Sequence, residues 1–263
     1  MPTTFFGWVG FILEKYSPLF LSGTGLTMLI AGSGTVLGFL LGLLVAVVRS
    51  IRPAPGAGAL SRAMLVLLKG FLNIYIEVFR GTPMLVQAMV IYYGLQMFFG
   101  IRLHQLVAGV LIVSVNTGAY MAEIIRGGIL SVDVGQTEAA HSIGMTHWQT
   151  MTNVVLPQAV RNIMPSIGNE FIVNIKDSCV LNVISVTELF FQAQAAAGAT
   201  YRYFEVFFII GLIYLTLTFT VSRLLRLLER RMDGPASYSI HGSQSGAGSA
   251  LALQGLGDGK ESG

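Results

Sequence analysis

From Leu19 to Val48 the chain carries no charged side chain, and Arg49, Arg52, Pro53 and Pro55 close the run. A hydrocarbon core of about 30 Å is crossed by roughly 20 apolar residues in an α-helix, so this stretch reads as a membrane span. Further apolar stretches lie at 82–99, 106–125, 165–186 and 204–228. The expected fold class is an all-α membrane protein with five transmembrane helices. Composition agrees: 53% of residues are hydrophobic, 11% are charged, and the mean hydropathy is +0.69. An ordinary soluble domain carries about 25% charged residues. The net charge of +3 does not call for nucleic acid. The Lys and Arg residues sit beside apolar runs, where flanking cations fix membrane orientation. Cys179 is the only cysteine, so no intrachain disulfide forms.

Three domains are expected: an N-terminal interfacial segment at 1–18, a transmembrane region at 19–231, and a flexible tail at 232–263. Phe5, Phe6, Trp8, Val9, Phe11 and Ile12 precede Glu14 and Lys15. Such an aromatic-rich piece suits the membrane interface, the alternative being an unstructured arm. It lacks a basic leader and a small-residue cleavage site, so no removed signal peptide is expected. Gly34, Gly38 and Gly42 recur at every fourth position and clear one helix stripe for close packing. Residues 60–78 are apolar but interrupted by Arg62, Lys69, Asn73 and Glu77. They read as an amphipathic helix, interfacial or partly embedded, rather than a crossing. Pro83 stands at a helix-start position of the span at 82–99. The tail is rich in Gly, Ser and Ala. Its Gly259-Lys260 pair fails the phosphate-loop pattern, because Glu261 follows and position 254 is not glycine.

Five crossings leave the chain ends on opposite sides. One side then holds Arg49, Arg52, Arg62, Lys69, Arg80, Arg126, Arg161, Arg223, Arg226, Arg230, Arg231 and Lys260. The other holds Lys15, Arg102 and Arg202, with Lys176 left inside a span. The excess places the segment between the third and fourth spans, and the C-terminus, in the cytoplasm.

That segment, 133–157, is the one long polar stretch between apolar blocks. Asp133-Val-Gly-Gln136 and Thr146-His-Trp-Gln149 both fit a capping box, so two short helices are expected. Gly144 lies between them, where a positive φ suits the turn. Pro157 is expected to end or kink the second helix. Glu138-Ala139-Ala140, Gly144 and Leu156-Pro157 together resemble the EAA loop of ABC importer permeases. Phe79-Arg80-Gly81-Thr82-Pro83, Gly118-Ala119-Tyr120-Met121-Ala122-Glu123, Arg126-Gly127, Gly135-Gln136 and Lys176-Asp177-Ser178 resemble its polar amino acid branch. The resemblance runs from about residue 26 to 231.

Polar residues also occur inside the spans. Lys176 and Asp177 each cost ~3 kcal/mol at the centre of a lone span. With Arg80, Glu123 and Arg126 they are expected to form an inter-helix charge network near the cytoplasmic rim. A gate or a substrate contact is the alternative. Gln87, Asn116, Asn174, Ser178 and Asn182 offer donors and acceptors to a desolvated amino acid, although asparagines also bind helices to each other. His104, His141, His147 and His241 are scattered, so no metal site is expected, and no catalytic constellation is discernible.

The resemblance implies a type I ABC importer permease arrangement, with the polar loop as a coupling helix-turn-helix in the cytoplasm. It implies a bacterial cytoplasmic membrane location and uptake of a polar amino acid by alternating access. Expected partners are an ATPase dimer that binds the ATP, a second permease subunit, identical or related, and an extracytoplasmic solute-binding protein. No cofactor of its own and no enzymatic activity are expected. The ATPase-coupling residues would be Glu138, Ala139, Ala140, Gly144, Leu156 and Pro157. A secondary transporter or channel for small polar solutes is the alternative, which leaves the loop unexplained.

Overall fold

The computed structural model describes residues 2–51, 53 and 58–233. All regular structure among them is helical. The contacts divide the chain into a unit Met1–Glu229 and a second unit from Arg230. Of the second, only the end of the last helix is described, so the expected tail falls almost wholly outside the described residues.

Helix α1 runs unbroken from Phe5 to Ser50. Its 46 residues extend about 69 Å, more than twice a hydrocarbon core. The boundary expected at residue 18 therefore leaves no break in the backbone. Pro18 forfeits one helical hydrogen bond, yet Trp8, Ile12 and Phe20 are buried on either side of it and hold the helix in place. Helix α2 spans Ala59–Gly81, α3 Met84–Phe99 and α4 Gln105–Leu130.

Helix α4 packs along α1 in parallel. A Cβ added at Gly38 would meet Thr117 at 2.7 Å, and one at Gly42 would meet Met121 at 2.5 Å. The glycine stripe is thus the floor of the α1–α4 seam, as the four-residue spacing predicts.

Beyond α4 come two short helices, α5 (Val134–Ser142) and α6 (His147–Thr150), a π-helical turn (Met151–Val155) and α7 (Leu156–Asp177). Helix α7 runs antiparallel to α4, with Ile163 against Gly128 and Asn174 against Thr117. A 3-10 turn (Ser178–Ile184) leads to α8 (Leu189–Thr200), bent 57° from the preceding helix. Helix α9 (Tyr203–Asp233) returns beside α1, its Val206 and Ile209 sharing a core with Ile12 and Phe20. Farther along, Val221 shares one with Ala31, so α9 is parallel to α1.

Four single helices are long and apolar enough to cross a membrane, and the bent α7–α8 pair makes five. Their identities differ from the sequence expectation in one place. Helix α2 meets the length and apolarity needed, whereas α3 has only 16 residues, about 24 Å. Direction resolves the pair. Because α1 and α4 are parallel, the chain makes one net return between them, and two full crossings would invert α4. Helices α2 and α3 therefore share a single return. The amphipathic character read at 60–78 fits the first part of it, since only Ile76 of α2 is buried.

Candidate functional site

The loop after α4 is built by local capping. Asp133 accepts the Gly135 amide at 2.6 Å. This is a single cap rather than the reciprocal box its spacing to Gln136 predicts. Helix α5 ends in a Schellman motif: Met145 N–H donates to the Ala140 carbonyl and Gly144 N–H to that of His141. Gly144 takes φ +84° in open space, so its requirement is conformational and not steric. Thr146 and Gln149 form the full capping box expected at α6. Glu138 and Ala139 are exposed, whereas Ala140 is buried at 5% exposure. Ile143 and Trp148 stand out from the loop at 80% and 74% exposure.

Pro157 does not end the second helix. Helix α6, the π turn and α7 follow without a gap, and Pro157 occupies the first turn of α7. Proline has no N–H to give the carbonyl four residues back, and the widened turn just before it absorbs that loss. Helices α6 and α7 are consequently one continuous helical run with a single irregular turn.

Glu123 gathers the cations at the loop-side end of α4. Its carboxylate takes Arg49 at 2.5 Å, Arg126 at 2.7 Å and Arg80 at 3.9 Å. Arg80 also lies over the Tyr120 ring, 5.6 Å from its centre. Of the five residues expected in a charge network, Arg80, Glu123 and Arg126 come together, and Arg49 joins them unforeseen. Lys176 and Asp177 do not. No ion pair within 4.0 Å involves either among the described residues, and both are exposed. The register explains the correction. Asn174 pairs with Thr117, which places Lys176 about two turns of α4, roughly 12 Å, from Glu123. Lys176 lies instead in an apolar cavity with Phe190, Phe207 and Tyr214, its stem suited to such a surface.

The amide residues fall into separate joints. Asn174 donates to Thr35 at 2.8 Å and accepts from Thr117 at 3.1 Å, tying α1, α4 and α7 at one buried level. Gln87 donates to the Phe79 and Thr82 carbonyls, both at 2.9 Å, and accepts from Asn116 at 2.8 Å. That joint fixes the α2–α3 corner to α4. Ser178 is buried and donates to the Ile175 carbonyl. Asn182 donates to Gln194 at 3.2 Å. All five make hydrogen bonds within the chain; Gln87, Asn174 and Ser178 are buried, whereas Asn116 and Asn182 are half-buried.

Sequence reading missed Glu188, which is fully buried. Its carboxylate accepts the Phe190 and Phe191 amides at 2.9 Å each, and the Tyr214 hydroxyl at 3.1 Å. It caps α8 at the bend and ties it to α9. Its place just ahead of the apolar run Leu189-Phe190-Phe191 was the available signal.

Known proteins share this architecture. Residues 38–234 match the family described as the inner membrane component of binding-protein-dependent transport systems. The chain is 38% identical over 216 residues to the glutamine transport system permease protein GlnP of Escherichia coli K12, covering 82% of this chain and 93% of that one. It is 35% identical over 217 residues to the arginine transport system permease protein ArtQ of Bacillus subtilis 168, with the same coverage. A crystal structure of an amino acid ABC transporter with histidines superposes at TM-score 0.75 with 43% identity, over 88% of this chain and 100% of that one. The inward-facing methionine transporter MetNI, at 18% identity and TM-score 0.64 over 81% of this chain and 96% of that one, shares the fold. The matched region holds both the helical bundle and the loop, and the chain belongs to the inner membrane permeases of binding-protein-dependent transport systems, as a multi-pass permease of the amino acid ABC importers.

Proposed function

We propose that this chain is the translocating subunit of an importer that moves a polar amino acid by alternating access, with ATP hydrolysis supplied by a separate ATPase dimer. A second permease subunit completes the path, and an external binding protein delivers the substrate. The loop at 133–157 faces the cytoplasm and receives the ATPase. Glu138 offers it a charge and Ala139 leaves the surface slim. Ala140 seats α5, Gly144 sets the turn, and Leu156 and Pro157 carry the turn into α7. Ile143 and Trp148 supply the apolar contact. Asn116 and Asn182, the half-buried amides, contact the substrate in preference to Gln87, Asn174 and Ser178.

The observation that carries this reading is the unbroken helical run from His147 to Asp177. A push on the loop is delivered through the π turn to Asn174, at the joint of α1, α4 and α7. The glutamine and arginine named for its relatives, and the histidine context of the similar structure, indicate a polar amino acid substrate. The charge excess on the loop side supports the cytoplasmic orientation.

The test is uptake into proteoliposomes holding the complete transporter, with hydrolysis measured in parallel. Gly144→Val is expected to insert and to permit hydrolysis while amino acid taken up per ATP falls. Normal coupling in that variant contradicts the assignment of the loop. Uptake that persists without any ATPase favours a secondary transporter instead.

A further inference from the structure

Four elements converge at the loop-side end of the bundle and leave a cavity of about 630 Å³ between them. Arg49 and Ser50 come from the end of α1, Lys69 from α2, and His147 and Met151 from α6 and the π turn. No carboxylate is among these lining residues. The neighbouring Glu123 is shared by Arg49, Arg80 and Arg126, so three guanidiniums face one negative charge. Lys69 gives one donor to the Ile51 carbonyl at 2.5 Å, which leaves the rest of its ammonium to the cavity. The walls thus carry uncompensated positive charge in a space of the size small-molecule sites occupy, about 300–1,000 Å³.

The mouth is not polar all round. Met151 is part of the lining, and on the same face of α2 as Lys69, one turn earlier, Val66 is exposed and Leu65 half-buried. A free anion gains nothing from such a surface. A molecule that carries a phosphate on an alkyl chain satisfies both, and basic pockets between membrane helices bind phospholipid headgroups in this way.

We propose that this cavity binds the phosphate of an anionic phospholipid, held by Arg49, Lys69 and His147, with its acyl chains along Leu65 and Val66 of α2. The site is independent of the transport reading, because it needs only a membrane and the geometry at the end of the bundle. Its walls belong to both the bundle and the loop. The bound lipid therefore fastens α6 to α1 and α2.

The test is native mass spectrometry of the full chain released from detergent with equal amounts of phosphatidylglycerol and phosphatidylcholine. The wild type is expected to retain the anionic lipid about tenfold over the zwitterionic one, the factor that goes with one charge-assisted contact. Lys69→Gln with His147→Gln is expected to abolish that preference. Ser50→Asp, which sets a negative charge in the cavity, does the same and decides the matter if the double variant is unstable. Arg223→Gln, whose guanidinium lies over Phe219, leaves the preference intact. Equal retention of the two lipids by the wild type, or an unchanged preference in Ser50→Asp, overturns the site. Displacement of the lipid by millimolar inorganic phosphate overturns the lipid as its occupant.

Discussion

Two regions depend on glycine for opposite reasons. In the α1–α4 seam Gly38 and Gly42 are needed for space, since any Cβ there collides with Thr117 or Met121. In the loop Gly144 has open space around it and is needed for its φ of +84°. The seam is stabilised by contact along whole helices. The loop is held by a few local hydrogen bonds and leaves Ile143 and Trp148 uncovered. The first region resists change, and the second is the one we propose meets a separate subunit.

The largest expected effect breaks the seam. Gly42→Leu would drive side-chain atoms into Met121 and Ala122, and should lower stability by about 2–3 kcal/mol, the upper range for overpacking. Thermal unfolding in detergent checks it. A near-normal transition would mean that α1 and α4 do not approach this closely.

Next is Glu123→Gln, which leaves Arg49 and its neighbours without their shared countercharge. The pair is only partly exposed, with Glu123 at 18%. A loss of about 1–2 kcal/mol is expected, below the figure for a fully buried pair. Restoring stability with Arg49→Met in the same chain would sharpen the point, since it removes the orphaned cation.

In the loop, Gly144→Ala should cost only about 1 kcal/mol of local conformational energy. Gly144→Asn should cost less, because asparagine tolerates positive φ. The thermal transition should barely move for either, and proteolysis within 133–157 should be faster for alanine than for asparagine. Equal rates would show that space and not backbone conformation matters there.

The smallest expected effect is that of Lys176→Ala. With no ion pair within 4.0 Å among the described residues, its stability should change by less than about 0.5 kcal/mol. A large loss would mean that Lys176 meets a carboxylate after all, one outside this chain's described residues.

What could be read in the sequence was what local periodicity and capping encode. The Gly34-Gly38-Gly42 spacing, the Thr146/Gln149 box and the Gly144 turn are each set by residues within one helical turn or two. What was not legible depends on register between distant segments. Lys176 was assigned to the Glu123 cluster because both are charged, but the pairing of Asn174 with Thr117 sets them apart. Arg49 read as a flanking cation until α1 was seen to end beside α4. Pro157 read as a breaker, yet the widened turn before it carries the helix through. Glu188 drew no notice in the sequence because its partners Thr27 and Tyr214 lie far from it along the chain.

The central claim is that the exposed loop tip is a seat for a separate nucleotide-hydrolysing subunit. Its most direct test is to purify the chain from its native membrane with an intact loop and with Ile143→Asp and Trp148→Ala together, and to assay each preparation for a retained ATPase. The intact chain should carry one in stoichiometric amount and the variant should lose it while keeping the same unfolding temperature. Equal retention by both, or no ATPase on the intact chain, contradicts the account.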